Sequence, residues 1–337
     1  VTFAGNSAVD GGAMYIDASL ALPGDVLTYT NCIFRNNVAE RGGGVFITNG
    51  EPDEGILPLF LANCIFWENA ADLGGGLFIT YGELDPAPPP PSLTNCTFSG
   101  NVAAEAGGAI YALGPVTTVM PLMLTNSILW GDTAGGVPNE IYLEGGVGLP
   151  LVTYSDIEGG WEGDTNIDLD PRFVEPDSGN LHLQPDSPCI DAGDNDALNL
   201  PQYDIDGEPR IMDGDGDAYA VVDMGAYEFK TPAIWVEIDV TPDVPSNVIK
   251  LGSPRRVPVA ILSTIDFDAS EVAADTVVFA GATHVGFTIV DVNKDGHDDV
   301  LLDFRARDMV DLDEDSTEAT LTGETLNADP FEGQDEV

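Results

Sequence analysis

Basic side chains are scarce in this chain of 337 residues: eleven Lys and Arg stand against 58 Asp and Glu, with three histidines, for a formal net charge of −47. Such a surface repels polyphosphate, which excludes nucleic acid as a partner and disfavours an anionic membrane. No stretch approaches the roughly 18 consecutive apolar residues of a membrane span. The opening "VTFAGNSAVDGGAMYI" has neither an initiator methionine nor a charged leader, so the expectation is a mature or truncated piece of a longer protein. The acid is not confined to a tail. Self-repulsion on this scale calls for salt or bound cations, and outside a cell calcium is the first candidate.

Long helical stripes are also missing. Instead the chain repeats a sentence: "NCIFRNNVAERGGGVFITNG" from Asn31, "NCIFWENAADLGGGLFITYG" from Asn63, "NCTFSGNVAAEAGGAIYALG" from Asn95 and a fourth copy from Asn126, at spacings of 32, 32 and 31. A period of this length marks a solenoid. Short β-type runs broken by Gly, Asn and Pro point to one rung of a parallel β-helix per copy, each stacked about 4.8 Å above the last. Stacking explains the repeated letters. Phe34, Phe66, Phe98 and Leu129 should form an inward ladder. Asn36 or Asn37, with Asn69 and Asn101, should form an amide ladder at a bend where Asn takes a left-handed conformation. The Gly pairs 42–43, 74–75 and 107–108 should turn the corner into the next strand. The Pro-rich stretch Leu84–Ser92 reads as a stiff excursion on one face.

Four cysteines allow two disulfides in a secreted protein. Cys32, Cys64 and Cys96, however, occupy one position of successive rungs, so their side chains point the same way. That favours a stack of buried thiols over a bridge, whose dihedral wants about 90°. Metal binding by cysteine would need thiolates converging from different directions.

The pairing F-x-x-N with G-G-[AG]-[ILVM], present as "FAGN…GGAM", "FRNN…GGGV", "FWEN…GGGL" and "FSGN…GGAI", resembles the repeats of chlamydial-type polymorphic outer membrane proteins over residues 1–160. "SPCIDAGD" with "YDIDGEPRI" and "VDMGAYEF" is similar to the terminal block of bacterial surface proteins called choice-of-anchor Q, over residues 180–229. Those resemblances imply a right-handed helix on an exported, cell-surface protein. By the second, Pro188–Gly193 belongs to the last rungs and Asp223–Phe229 caps the open end of the core.

After Lys230–Ala233 the rung pattern stops. Short alternating strands with Pro and Gly turns then indicate a β-sandwich of immunoglobulin-like type. The fold class is therefore all-β: a right-handed parallel β-helix over 1–229, then a calcium-binding β-sandwich over 233–337. Residues 234–337 also resemble a module that recurs at the C-termini of large secreted proteins of environmental bacteria.

Within that module, "DVNKDGHDD" places Asp291, Asn293 and Asp295 at alternate positions, then Gly296, His297 and Asp299. A hard cation takes six to eight oxygens at about 2.4 Å, which alternating Asp and Asn in a tight loop deliver. Gly296 permits the reversal, and His297 would ligate through its carbonyl. The flanks are strands, so the loop resembles those of integrin-type propeller and thrombospondin-like modules rather than an EF-hand. Two further stretches share the form with fewer of its features: Asp213, Asp215, Asp217 and Asp223, and Asp311, Asp313, Asp315 with Glu318.

Catalysis has little raw material. A calcium-dependent polysaccharide lyase would have to draw on Arg172, Arg210 and the Asp204–Asp217 cluster, with Arg210 as base. Neither a Ser-His-Asp set nor a phosphate loop is present. The expectation is no enzyme but an extracellular or cell-surface structural protein stabilised by calcium. It would assemble head to tail through the strand edge at Val1, its partners being further copies or other surface proteins. The alternative is an adhesin or glycan binder that uses an outward Trp67 and Trp130.

Overall fold

The computed structural model describes residues 1–17, 26–49, 58–81, 90–114, 122–146, 148–217, 219–242, 244, 247–327 and 329–337. The Pro-rich excursion lies outside these residues over 84–89. The chain divides into two compact units, Val1–Lys230 and Thr231–Val337. Among the described residues, no helix is long and apolar enough to cross a membrane.

The first unit is a parallel β-solenoid. One sheet stacks Thr2–Ala4, Ile33–Arg35, Ile65–Trp67, Thr97–Ser99, Ile128–Trp130 and Asp156–Ile157 in that order. Its register is strict: Phe3 pairs with Phe34, Phe34 with Phe66, Phe66 with Phe98 and Phe98 with Leu129. Two five-stranded sheets and a four-stranded one complete the walls. Alternation sends Phe34, Phe66, Phe98 and Leu129 inward, each fully buried. The rings stack at 4.9 Å (Phe34–Phe66) and 4.3 Å (Phe66–Phe98). Cys32, Cys64 and Cys96 lie in the same core as free thiols.

The amide ladder runs through Asn37, Asn69 and Asn101, all fully buried. Asn37 Nδ2 donates to Asn69 Oδ1 and Asn69 Nδ2 to Asn101 Oδ1, both at 2.9 Å. These asparagines are not the left-handed ones. That conformation belongs to the preceding column, Asn36, Glu68, Gly100 and Gly131, and to a second column, Asn31, Asn63, Asn95 and Asn126. The bend is thus made by one residue and its hydrogen bonding by the next. At the opposite corner, a Cβ on Gly75 would stand 2.5 Å from the carbonyl oxygen of Gly108 in the following rung. Only glycine lets the rungs stack there.

The terminal block departs from its expected place. Met224, Ala226 and Phe229 do not close the open end; they pack with Ile65 and Ile128, which point outward from the solenoid wall. Asn95 Nδ2 donates to the carbonyls of Asp223 and Gly225, and Ala226 N–H donates to Thr97 Oγ1. The physical reason is the apolar outward column Ile65–Thr97–Ile128, which needs cover along the flank. Trp161, by contrast, packs against the interior cluster.

The second unit holds a five-stranded sheet (Ile234–Trp235, Val278–Phe279, Ala282–Thr283, Glu318–Glu324, Pro330–Glu336) and a four-stranded antiparallel one (Ile238–Val240, Arg256–Ile261, Phe287–Val290, Asp299–Arg305). Both contribute to one buried cluster that includes Val259, Phe279, Leu302, Phe304, Leu321 and Phe331.

Candidate functional site

Three places concentrate chemistry. The first is the seam between solenoid and terminal block. Arg210 is buried there, 1% exposed. Its Nη1 donates to Glu228 Oε1 at 2.6 Å, and Nε and Nη2 donate to Asn63 Oδ1 at 3.1 and 2.5 Å. Asp204, equally buried, accepts the N–H groups of Asp206, Gly207 and Glu208 on one oxygen and that of Glu228 on the other. These groups bolt the block to the wall. A base in this position is out of reach of a polymer, while Arg172 lies elsewhere, exposed and paired with Asp186.

The second place is acidic. Among the described residues, Asp191, Asp213 and Asp215 form the one group of three potential metal-ligating side chains whose donor atoms lie within 4.8 Å of one another. Asp191 Oδ2 accepts the N–H groups of Gly214 and Asp215 at 2.9 and 2.8 Å, which clamps the "DGDGD" turn. Its other oxygen is buried and accepts no hydrogen bond. Burial raises the pKa of Asp191 above the ordinary carboxylate value, and the charge of Asp215 adds to the effect. Calcium fits such a donor set: all oxygen, anionic and partly desolvated. Asp217 lies further along the turn, with Oδ1 accepting from Tyr219 N–H. Asp223 is buried, its oxygens engaged by the N–H groups of Asp191 and Phe229.

The loop in the second unit is arranged differently. Asp291 accepts from Asp295 N–H and Gly296 N–H, Asn293 Oδ1 from Asp295 N–H, and Asp295 Oδ1 from His297 N–H. Lys294 and Gly296 take positive φ to make the reversal. Asp299 stands apart: fully buried, it accepts Ser263 N–H on one oxygen and Val292 N–H on the other, both at 2.8 Å. It anchors the loop. The carboxylates of Asp291, Asp295 and Asp299 do not converge as those of Asp191, Asp213 and Asp215 do. In the third acidic stretch, Asp313 Oδ1 accepts from Asp315 N–H and Ser316 Oγ. Asp311 packs near Gly281.

The third place is a cleft of about 600 Å³ on the solenoid flank, walled by Trp67 and Trp130 and by the hairpin that carries Arg172, Pro176, Asp177 and Gln184. Both tryptophans point outward as expected, and both are partly covered by that hairpin.

Two features escaped the sequence reading. Asp191 sits some twenty residues before the turn it clamps, so only the fold joins them. The column Tyr15, Phe46, Phe78, Tyr111 and Tyr142 stacks on the outside of another wall, with centroids 4.9 to 5.3 Å apart. Its spacing of 31 to 33 residues was the available signal.

No curated protein and no solved structure matches the chain. Residues 95–113, which are most of one rung with its Asn ladder, Gly pair and inward Phe98, match the Chlamydia polymorphic membrane protein repeat.

Proposed function

We propose that the chain is a surface-exposed bacterial structural protein: a right-handed β-helix and an immunoglobulin-like sandwich, held in shape outside the cell by calcium. The family match supports the surface location, and the continuous ladders support a stiff beam. The observation that carries the calcium reading is the convergence of Asp191, Asp213 and Asp215, with one buried carboxylate oxygen left without a donor. In a chain of net charge −47 a divalent ion there turns mutual repulsion into attraction. It would tie the "SPCIDAGD" segment to the "DGDGD" turn. At one hundred times its dissociation constant, one ion contributes about 2.7 kcal/mol to stability.

The Asp291–Asp299 loop is the second candidate, with Asp291, Asn293, Asp295 and the His297 carbonyl as ligands. Its carboxylates accept backbone N–H groups and keep lone pairs that an ion could take. The beam reading does not require head-to-tail assembly. Calorimetric titration of chelator-treated protein with calcium separates the sites. Asp215→Asn should remove the first binding event and leave any second one; Asp295→Asn should do the reverse. Absence of any binding heat at millimolar calcium would remove the ion from the account.

A further inference from the structure

We propose that the cleft between Trp67 and Trp130 binds a sugar residue of a neutral glycan. This goes beyond the structural reading and does not depend on calcium.

The cleft follows from the register of the wall. Trp67 pairs with Ser99, and Ser99 pairs with Trp130. The two indoles therefore stand in one column, two rungs or about 10 Å apart. Between them the column holds only a serine, followed by Gly100, whose positive φ of 67° turns the chain away. A repeat that placed a third large ring at Ser99 would fill the gap. This chain keeps the small Ser99 there, buried at the floor of the cleft.

The far side is supplied by the hairpin of the terminal block. Pro176 accepts a hydrogen bond from Trp67 Nε1 at 3.1 Å, and Gly179 lies close to the indole. Trp67 is thereby fixed in orientation before any ligand arrives, which lowers the entropy cost of binding. Arg172 is held by Asp186 and retains further N–H donors on its fork. Its left-handed backbone, φ 54°, is uncommon for a residue with a side chain.

The lining selects the ligand. Four carboxylates, on Glu68, Asp170, Asp177 and Asp186, line the cleft against one guanidinium, on Arg172, which Asp186 pairs. A polyanion such as a polyuronate is repelled, and so is a phosphate. A purely apolar ligand would strip water from these carboxylates without replacing its hydrogen bonds. A neutral sugar meets both demands: its C–H faces lie on indole, and its hydroxyls donate to carboxylates and accept from Arg172 and Gln184. An organic ammonium ion is the competing ligand, since aromatic rings with nearby carboxylates also attract cations.

The test is tryptophan fluorescence and calorimetric titration of the full chain. The panel comprises neutral oligosaccharides (glucose-, mannose-, galactose- and N-acetylglucosamine-based), oligogalacturonate and tetramethylammonium. At least one neutral oligosaccharide should bind, oligogalacturonate should not, and Trp130→Ala should weaken binding at least roughly tenfold while Trp130→Phe largely keeps it. Asp177→Ala, on the exposed rim, gives a second reading should Trp130→Ala disturb folding, and should also weaken binding. The proposal is overturned by no neutral oligosaccharide binding at millimolar concentration, by binding that both Trp130→Ala and Asp177→Ala leave unchanged, or by a response to tetramethylammonium alone.

Discussion

Asn101 Nδ2 donates to Asp132 Oδ1 at 2.7 Å, so a buried ladder of amides ends on a buried carboxylate. Asp132 Oδ1 also accepts Asn101 N–H at 2.6 Å. Its other oxygen and Oε2 of the buried Glu140 have no donor. Burial raises both groups, and the charge of Asp132 raises Glu140 further. The pair holds a proton where an ordinary carboxylate would have none.

A pH dependence follows. Asp156, also buried, is pushed up to about 7 by burial. The folded-state values of these groups lie above the unfolded ones, so the folded chain binds more protons. Their contribution is complete below about pH 4 and is lost as pH rises through the folded values. Chelated protein should therefore be less stable at pH 8 than at pH 5, by an amount on the order of 2 kcal/mol, and melt at a correspondingly lower temperature. Asp132→Asn, which continues the ladder with another amide, should flatten this slope. Melting curves from pH 4.5 to 8.5 for both proteins check it, and a steeper slope in the variant would contradict it.

Phe66 has rings of Phe34 and Phe98 above and below it and no exposed surface. Phe66→Ala removes the middle of the stack and should cost about 3–5 kcal/mol by chemical denaturation. Phe46→Ala, in the separate buried stack on the outer side of another wall, is the comparison for a ring outside the interior cluster.

Removing Arg210 leaves Glu228 buried without its partner and Asn63 Oδ1 without two donors. Arg210→Ala should cost about 3–5 kcal/mol and expose residues 203–229 to rapid hydrogen exchange before the rungs themselves open. Uniform exchange throughout the unit would show that the block is no separate layer.

Cys32, Cys64, Cys96 and Cys189 are all free and buried. The hydrogen bond with Cys64 and burial raise Cys32; burial and the neighbouring Asp156 raise Cys189. A thiol reagent should find almost no reactive group in native protein and four after unfolding. Fast reaction of any one in native protein would contradict its placement.

The rungs were legible because stacked positions face identical surroundings, so Phe34, Phe66 and Phe98 repeat in the sequence as they do in space. Even the end of the ladder is written there, as Asn37, Asn69, Asn101, then Asp132. The flank was not legible. The alternation marks Ile65 and Ile128 as outward and apolar, yet nothing local says that Met224 and Phe229, roughly a hundred residues away or more, will cover them. The same holds for Asp191: spacing marks Asp213, Asp215, Asp217 and Asp223, of which Asp213 and Asp215 converge, and their partner Asp191 comes only from tertiary packing. In the Asp291–Asp299 loop the pattern marks the turn, but it does not disclose that Asp299 serves two backbone N–H groups.

The central claim, a solenoid whose terminal block is held by calcium, is tested most directly by the melting temperature of the isolated chain in millimolar calcium and after chelation, for wild type and Asp213→Asn/Asp215→Asn. The account predicts a calcium-dependent rise of several degrees in wild type, largely lost in the double variant and unaffected by Asp295→Asn in the transition of the Val1–Lys230 unit. Identical melting with and without calcium, or a rise that survives in the double variant, would contradict it.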